Sequence, residues 1–498
     1  MKKFTKIISL LMVLCMALTA FCACSDDNEE ESSAVSEVSA EEELFAGLPE
    51  KDYGGETVTF LVPGDEYTTY RSMEIMAQEN SPEILNENIK RRNDMVESRF
   101  GVVINEERAA KQQMVDIIRT AIISDISDYD IVMPYIPYAA TLALEDSFVL
   151  LNDMEYINLD KPCWDKNATE SLSINNKNYF ITGDISLLTL ACTHAIVFNK
   201  DIISKNGLDN PYDLVNDGVW TIDKLREMAI TFTADVDGTE GMSHTDNYGF
   251  LINKNFVTSM YVGSGNSLTG KDDDDLPYIE LFEEKESAFP VFNKIFELVN
   301  DTNATGLIDS NSGSFSTSAT ADGGSVWKAA TESVANGNAL FRAMAIIDII
   351  DLGEYDCNFG ILPVPKYSQD QDNYHSLVST MYATSAAIPK TAKDKEMSSV
   401  ILQAMCEAST KTTKEAYFEI ILKLRKIRDD ESEAMLDKIF NERVYDLGIV
   451  FNWGGTDNSI GYILNNIAFS GQQTFTSSLE TIETLVEADL QKTLEAFE

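Results

Sequence analysis

The 498-residue sequence is poor in histidine and in positive charge. Its three histidines argue against a histidine-rich metal site or a histidine-based catalytic centre. It has 38 basic residues against 82 acidic ones, for a formal net charge of −44. Nucleic acid and anionic lipid surfaces repel a polyanion of this kind, so neither is an expected partner. Hydrophobic residues still make up 44% of the chain, which is enough to build ordinary cores.

Catalytic motifs are missing as well. The sequence has no HExxH, GxSxG, P-loop or GxGxxG pattern, and pairs of carboxylates carry no information in a chain with 82 acids. Residues 235–240 share some acids with a calcium loop but lack its full ligand spacing, and Asp272–Asp275 is interpreted as a solvated turn. We therefore expect no catalytic residue, no cofactor and no metal site, although bound calcium is left open.

Only one long hydrophobic run occurs, at the N-terminus. After a basic start, Ile7–Phe21 is almost entirely apolar, which is typical of a secretory signal and too short for a comfortable membrane span. The run ends in Phe-Cys-Ala-Cys-Ser, which resembles the bacterial lipobox. This predicts a signal peptide over residues 1–23 and lipidation of Cys24; ordinary secretion without a lipid is the alternative.

Residues 24–52 are rich in serine and acids, so we expect a disordered tether between the lipidated cysteine and the folded body. Four cysteines lie far apart in that body: Cys163, Cys192, Cys357 and Cys406. Two disulfides and four buried thiols are both compatible with the sequence, and the second is favoured.

The body alternates β-branched runs with amphipathic stretches, which predicts an α/β protein. Strands are expected at 57–62, 102–105 and 130–133, with helices at 84–100 and 112–124 between them. This order implies parallel pairing, with ligand loops at the carboxyl ends of the strands. Further along, Thr221 should begin a helix with Trp220 and Leu225 packed together, so Trp220 is expected to be structural. Residues 310–325 are predicted to be an exposed loop, and the chain is mostly helical from Lys393 onward.

Two stretches are similar to a known family. Residues 197–201 (VFNKD), followed by 207–208 (GL), 210–212 (NPY) and 218–221 (GVWT), resemble a segment of carbohydrate-type extracellular solute-binding proteins, the receptors of ABC importers. Residues 360–366 (GILPVPK) and 386–390 (AAIPK) resemble the second crossing between lobes in that family. The resemblance extends over nearly all of residues 53–498.

The resemblance implies a two-lobed, periplasmic-binding-protein-like fold of type II, in which each lobe is a mostly parallel sheet flanked by helices. Two or three crossing segments form the hinge. Lobe 1 would contain residues 53–194 and about 362–425, and lobe 2 residues 195–361 and about 426–498.

Carbohydrate recognition uses aromatic faces and polar side chains. The strand-exit loops offer Asp65, Glu66, Tyr67 and Tyr135, while Asp184 and His194 lie just before the first crossing. The resemblance adds Phe256, Tyr261, Arg342 and Met344 as cleft-lining candidates. Trp453 is expected to be an exposed stacking platform because glycines follow it in an apparent loop.

These observations predict a monomeric, lipid-anchored receptor on the extracellular face of the membrane. It would bind a saccharide, most simply an oligosaccharide, non-covalently and deliver it to ABC permease subunits. Two alternatives remain: a surface sensing or interaction protein that reuses the receptor fold, and a lipid-anchored polysaccharide hydrolase.

Overall fold

The computed structural model describes residues 43–64, 70–79, 81–309, 313–423 and 430–498. The expected signal peptide, Cys24 and most of the expected tether lie outside these residues. The chain divides into two compact units, Met1–Leu48 and Pro49–Glu498. Residues 49–52 therefore belong to the larger unit and not to the tether, as the ion pair of Lys51 with Glu396 at 2.7 Å illustrates.

Twelve strands occur in the described residues of the larger unit. They are β1 (Glu56–Pro63), β2 (Val102–Ala109), β3 (Ile131–Val132), β4 (His194–Asn199), β5 (Tyr248–Asn253), β6 (Gly270–Lys271), β7 (Pro277–Tyr278), β8 (Thr305–Ile308), β9 (Ala339–Ala345), β10 (Phe359–Leu362), β11 (Ser376–Leu377) and β12 (Arg443–Val444).

The helices up to β10 are α1 (Glu83–Phe100), α2 (Lys111–Ile123), α3 (Ile136–Leu144), α4 (Lys166–Leu172), α5 (Leu187–Ala191), α6 (Lys200–Asn206), α7 (Pro211–Asn216), α8 (Ile222–Phe232), α9 (Phe256–Gly263), α10 (Glu280–Glu283), α11 (Lys285–Val299), α12 (Gly313–Ala321), α13 (Val326–Ala335) and α14 (Ile349–Leu352). Those after β10 are α15 (Lys395–Thr410), α16 (Thr413–Lys423), α17 (Asp430–Asn441), α18 (Leu447–Val450), α19 (Gly455–Asn458), α20 (Ile460–Ser470) and α21 (Phe475–Ala496). Short 3-10 turns lie at Leu151–Asp153 and Ile346–Asp348.

The first sheet has the strand order β2-β1-β3, and both pairings are parallel. Helix α1 connects β1 to β2 and buries an apolar face that includes Leu85, Ile89 and Val96. It ends where Gly101 adopts a left-handed conformation and donates its backbone N–H to Glu97 O. The hydrophobic periodicity therefore predicted these elements and their parallel pairing correctly.

The second sheet has the order β10-β4-β9-β5-β8. Strand β5 pairs in parallel with β8 and β9, whereas β4 pairs antiparallel with β9 and β10. Thr221 caps helix α8 by accepting a hydrogen bond from Lys224 N, as expected. Trp220 is buried beside the sheet and donates its indole N–H to Pro363 O at 3.0 Å, so its structural role is confirmed.

The chain after β10 packs against both sheets in turn. Residues 378–389 form isolated bridges to Thr193, Tyr135, Ile181 and Val132, among others. Helices α15 and α16 then pack on α1 beside the first sheet. Helix α17 packs on β10, and α20 packs on α9, which follows β5 of the second sheet.

The expected loop at 310–325 is wrong for the residues that the structure describes. Residues 313–321 form helix α12, with Phe315, Ser316 and Ala319 buried. The hydroxyls of Thr317 and Thr320 donate to backbone carbonyls four residues earlier, so these polar side chains are satisfied inside the helix. Composition alone could not show that one face of this segment is covered.

The structure also bears on the acidic run, the cysteines and the length of the helices. The acids at 272–275 form the turn between β6 and β7, where Asp272 accepts hydrogen bonds from Asp274 N and Leu276 N. The four cysteines of the body are buried thiols. No helix within the described ranges is both long enough and apolar enough to span a membrane.

Candidate functional site

Aromatic side chains gather where the parallel strands of the first sheet end. Tyr70 lies after β1, Lys111 begins helix α2 shortly after β2 ends, and Tyr135 lies after β3. Tyr382 reaches the same edge from the distant segment that bridges the first sheet. Together with Tyr138 on α3, these tyrosines form what we call the tyrosine cluster. The carboxyl edge of a parallel sheet is where ligands of α/β proteins bind.

The cluster is closely packed. The rings of Tyr70 and Tyr382 stack with centroids 4.1 Å apart and an interplanar angle of 11°. Tyr135 meets Tyr382 edge-on at 5.7 Å and meets Tyr138 at 6.0 Å. The ammonium of Lys111 lies 4.0 Å from the centre of the Tyr382 ring. Tyr70, Tyr138 and Tyr382 remain half-buried, so part of this surface is accessible.

One tyrosine links the first sheet to the second. The Tyr70 hydroxyl donates to Asp348 Oδ1 at 3.3 Å, in the 3-10 turn that follows β9. Burial raises the pKa of Asp348, and the charge of Arg342 opposes that rise. Burial also raises the pKa of Tyr70, with the charge of Asp348 adding to the effect, so the phenol stays protonated and able to donate. In the same turn Ile346 N donates to Thr193 O.

His194 and Phe256 form a second aromatic group close to this turn. His194 begins β4, directly after Thr193, and its ring stacks on Phe256 with centroids 4.7 Å apart. Burial lowers the pKa of His194 to about 4, so the imidazole is neutral at physiological pH. Its Nδ1 has no hydrogen-bond partner among the described residues. Both side chains are buried, so the pair is an apolar contact with one unused polar atom.

Three other candidates are placed as follows. Met344 and Arg342 are buried on β9, the neighbour of β4. Arg342 donates from Nη1 to Thr331 Oγ1 at 2.7 Å, and its Nε lacks a partner in the described structure. Asp184 is buried and accepts from Thr410 while forming an ion pair with Lys414 at 2.8 Å. These contacts give Asp184 a structural role, because they connect its loop to α15 and α16.

Tyr261 and Trp453 lie apart from the tyrosine cluster. Tyr261, on α9, lines a separate pocket. The expectation that Trp453 is exposed is wrong: its exposed fraction is 1%, and its indole N–H donates to Thr493 Oγ1 at 2.9 Å. The glycine-rich turn that suggested exposure is covered by α21, where Asp489 accepts a hydrogen bond from Gly454 N.

Sequence reasoning found part of this arrangement and missed the rest. Tyr135 was predicted from its position after β3, and Asp65, Glu66 and Tyr67 lie outside the described residues. Tyr70, Lys111 and Tyr382 were missed. Lys111 could have been found, because it begins the helix that follows β2, whereas Tyr382 comes from a segment with no local signal of its position.

Three acids between α8 and β5 form a candidate cation site. Asp235, Asp237 and Asp246 bring one carboxylate oxygen each within 4.8 Å of one another. Asp246 accepts hydrogen bonds from Val236 N and Asp237 N, and Asp237 accepts from neighbouring hydroxyls. These bonds within the loop account for the arrangement, so no metal is assigned to it.

Comparison with known structures places the fold. A cyclo/maltodextrin-binding protein complexed with maltotetraose matches with a TM-score of 0.58 at 12% identity, covering 88% of this chain and 98% of that one. An extracellular solute-binding protein from Staphylococcus aureus in complex with maltose matches with a TM-score of 0.57 at 11% identity, covering 88% and 98%. The maltose-binding periplasmic protein of Listeria monocytogenes matches with a TM-score of 0.56 at 13% identity, also covering 88% and 98%. The two-sheet architecture is thus the α/β periplasmic-binding-protein fold that the sequence predicted.

Sequence comparison gives the family. No curated protein matches the chain. The family described as "Bacterial extracellular solute-binding protein" matches residues 93–419, which is more than half of the chain. Its members are solute receptors of ABC transporters and are not enzymes, so the hydrolase alternative is set aside. The chain belongs to the bacterial extracellular solute-binding proteins.

Proposed function

We propose that this receptor binds a saccharide in a cleft between two lobes and delivers it to ABC permease subunits. The observation that carries the proposal is the tyrosine cluster, where stacked Tyr70 and Tyr382 rings lie at the carboxyl edge of a parallel sheet. Tyr70 covers one face of the Tyr382 ring and Lys111 the other, so a sugar would contact the exposed parts of these rings and hydrogen-bond to the nearby hydroxyl and carboxylate groups. Solved proteins of the same fold hold maltotetraose and maltose, which supports this class of solute.

The contacts of the chain support a two-lobed mechanism. Lobe 1 would consist of the first sheet with α15 and α16, and lobe 2 of the second sheet with α17 to α21. The hydrogen bond from Tyr70 to Asp348 joins residues of the two proposed lobes. A solute that contacts both sides would stabilise the closed arrangement, which the permease then recognises.

The proposal includes the cellular location of the protein. Cys24 would carry a lipid that anchors the receptor at the extracellular face of the membrane, with the acidic residues that follow acting as a spacer. The body would work as a monomer, and its strong negative charge keeps neighbouring copies apart.

A calorimetric titration with a panel of saccharides tests the solute class. We expect at least one saccharide to bind to the wild-type protein and raise its melting temperature. Tyr382→Ala should weaken binding roughly 2- to 13-fold, since an aromatic stack contributes roughly 0.5–1.5 kcal/mol. Tyr156→Ala is a matched control, because that half-buried tyrosine lies outside the cluster. If no saccharide binds, or both variants bind like wild type, the saccharide site proposed here is wrong.

A further inference from the structure

Two of the four buried cysteines lie together where the loop before α4 meets α15. Cys163 belongs to that loop, and Cys406 lies on the helix, 243 residues further along the chain. The Cys406 thiol donates to the backbone O of Cys163, with Sγ and O 3.1 Å apart. The Cys163 Sγ lies 3.6 Å from Nε2 of Gln403, which precedes Cys406 by about one turn of the helix. Both sulfur atoms therefore lie in the same contact.

A glycine from a third segment makes this approach possible. An added Cβ at Gly183 would come within 2.4 Å of Cys163 O and 3.0 Å of Cys406 Sγ. A side chain at this position would push the loop away from the helix, so glycine is required by the close packing. Cys357 has different surroundings, since its thiol lies 3.9 Å from Leu352 O.

The groups around the two sulfurs would keep their hydrogen bonds if the sulfurs were joined. Cys163 O would lose the Cys406 thiol but still accepts from Asp184 N at 2.8 Å. Nε2 of Gln403 would lose its contact with Cys163 Sγ but still donates to Glu407 Oε1 at 2.8 Å. Thiols are weak donors and acceptors, so little hydrogen-bond energy is given up.

Burial determines when the pair can react. The exposed fractions of Cys163 and Cys406 are 3% and 0%. Burial raises the pKa of Cys406 well above its usual range, and the adjacent Cys163 raises it further. Because the thiolate is the reactive form, the folded protein should react slowly with an oxidant. Oxidation therefore has to occur during folding, which for an extracellular family takes place where disulfides persist.

We propose that Cys163 and Cys406 form a disulfide while the receptor folds outside the cell. The oxidant is an external low-molecular-weight disulfide, R–S–S–R. One cysteine thiolate attacks it, which gives a mixed disulfide and releases one R–SH. The other cysteine attacks the mixed disulfide and releases the second R–SH. Two protons and two electrons thus pass from the cysteine pair to the external disulfide.

The bond would stabilise the fold without involving the saccharide site proposed above. It would join residues that are 243 positions apart, so it would restrict the unfolded chain strongly. We expect the oxidised receptor to melt roughly 3–6 °C above the reduced one. The surrounding protein would then shield the bond from reductants.

Peptide mapping of the exported receptor tests the proposal. Cells would produce the wild-type receptor in medium with oxidised glutathione or with dithiothreitol, and the purified protein would be unfolded in an alkylating reagent without reduction. With oxidised glutathione we expect one linked pair of peptides, containing Cys163 and Cys406 and lighter by two hydrogens than the separate peptides. Cys192 and Cys357 should be alkylated. With dithiothreitol all four should be alkylated.

Melting temperatures provide a second readout that a purely packing role would not change. The difference between oxidised and reduced receptor should disappear in Cys406→Ser and persist in the control Cys357→Ser. The proposal is overturned if Cys163 and Cys406 are alkylated under both conditions, or if the glutathione medium links other cysteines. A redox-dependent melting difference that survives in Cys406→Ser would also overturn it. None of these measurements requires a saccharide, so the two proposals fail independently.

Discussion

The buried carboxyl of Glu74 should make the stability of the protein depend on pH in a defined way. Glu74 is fully buried, and its Oε1 accepts hydrogen bonds from Leu188 N at 2.9 Å and from Thr384 Oγ1 at 2.7 Å. Its Oε2 accepts from Ser72 Oγ at 3.2 Å. Burial nevertheless dominates and raises the pKa of Glu74 to about 7, from an ordinary value of 4.5.

These contacts connect stability to the candidate site. Glu74 follows Tyr70 in the loop after β1, and Thr384 follows Tyr382 in the bridging segment. The Glu74 carboxyl thus hydrogen-bonds the loop that carries Tyr70 to the segment that carries Tyr382.

The magnitude follows from the pKa difference. Because the folded-state pKa is raised, the protonated carboxyl favours the folded protein fully below pH 4.5, and this contribution is lost as the pH rises through about 7. At about 1.4 kcal/mol per pKa unit, the loss is on the order of 3 kcal/mol. Glu74→Gln keeps an acceptor for Leu188 and Thr384 but cannot ionise, so it should escape the loss.

Urea unfolding of wild type and Glu74→Gln, each at pH 4.5, 6 and 8, measures the effect. The difference in unfolding free energy between the two proteins should move by about 3 kcal/mol in favour of the variant between the lowest and highest pH. Glu480→Gln serves as a control, since that exposed carboxylate should show no such trend. A pH-independent difference for Glu74→Gln would refute the reasoning.

Three further predictions follow from single contacts. Trp453→Ala should lower the unfolding free energy by about 3–5 kcal/mol, as measured by urea unfolding, because it empties a packed site and leaves Thr493 without its indole donor. Calorimetry should show unchanged saccharide affinity in the variant that remains folded. Weaker saccharide binding by the folded variant would contradict the structural role of Trp453. Lys414→Gln should destabilise the fold by about 1–3 kcal/mol, because it leaves the buried Asp184 carboxylate without its ion-pair partner; unchanged urea unfolding would show that this pair contributes nothing. Cys24→Ala should move the receptor from the membrane fraction to the medium, as immunoblotting of the two fractions would show; membrane retention of the variant would argue against the lipid anchor.

The sequence predicted the fold because the fold depends on local patterns. The apolar face of α1 and the β-branched runs of β1 and β2 specify elements that can only bury their hydrophobic sides as a parallel sheet with helices on it. The start of α6 also has a local cause: Asn199, the first residue of the NKD sequence, caps this helix by accepting a hydrogen bond from Ile202 N.

The site was harder to predict because it depends on distant contacts. Tyr382 stacks on Tyr70 from more than 300 residues away, and no periodicity in either segment indicates the partner. Trp453 was misplaced for the same reason, since a glycine-flanked turn does not show that α21 will cover it. Asp184 looked like a cleft acid until α16 supplied Lys414.

The central claim is that the receptor binds a saccharide at the tyrosine cluster. Native mass spectrometry tests it most directly, on receptor purified from cells that were grown with mixed saccharides. The account predicts an added mass equal to a hexose oligomer on the wild-type protein, equally abundant in Tyr156→Ala and reduced in Tyr382→Ala. A co-purifying solute that is not a carbohydrate, or a saccharide retained equally by all three proteins, would contradict it.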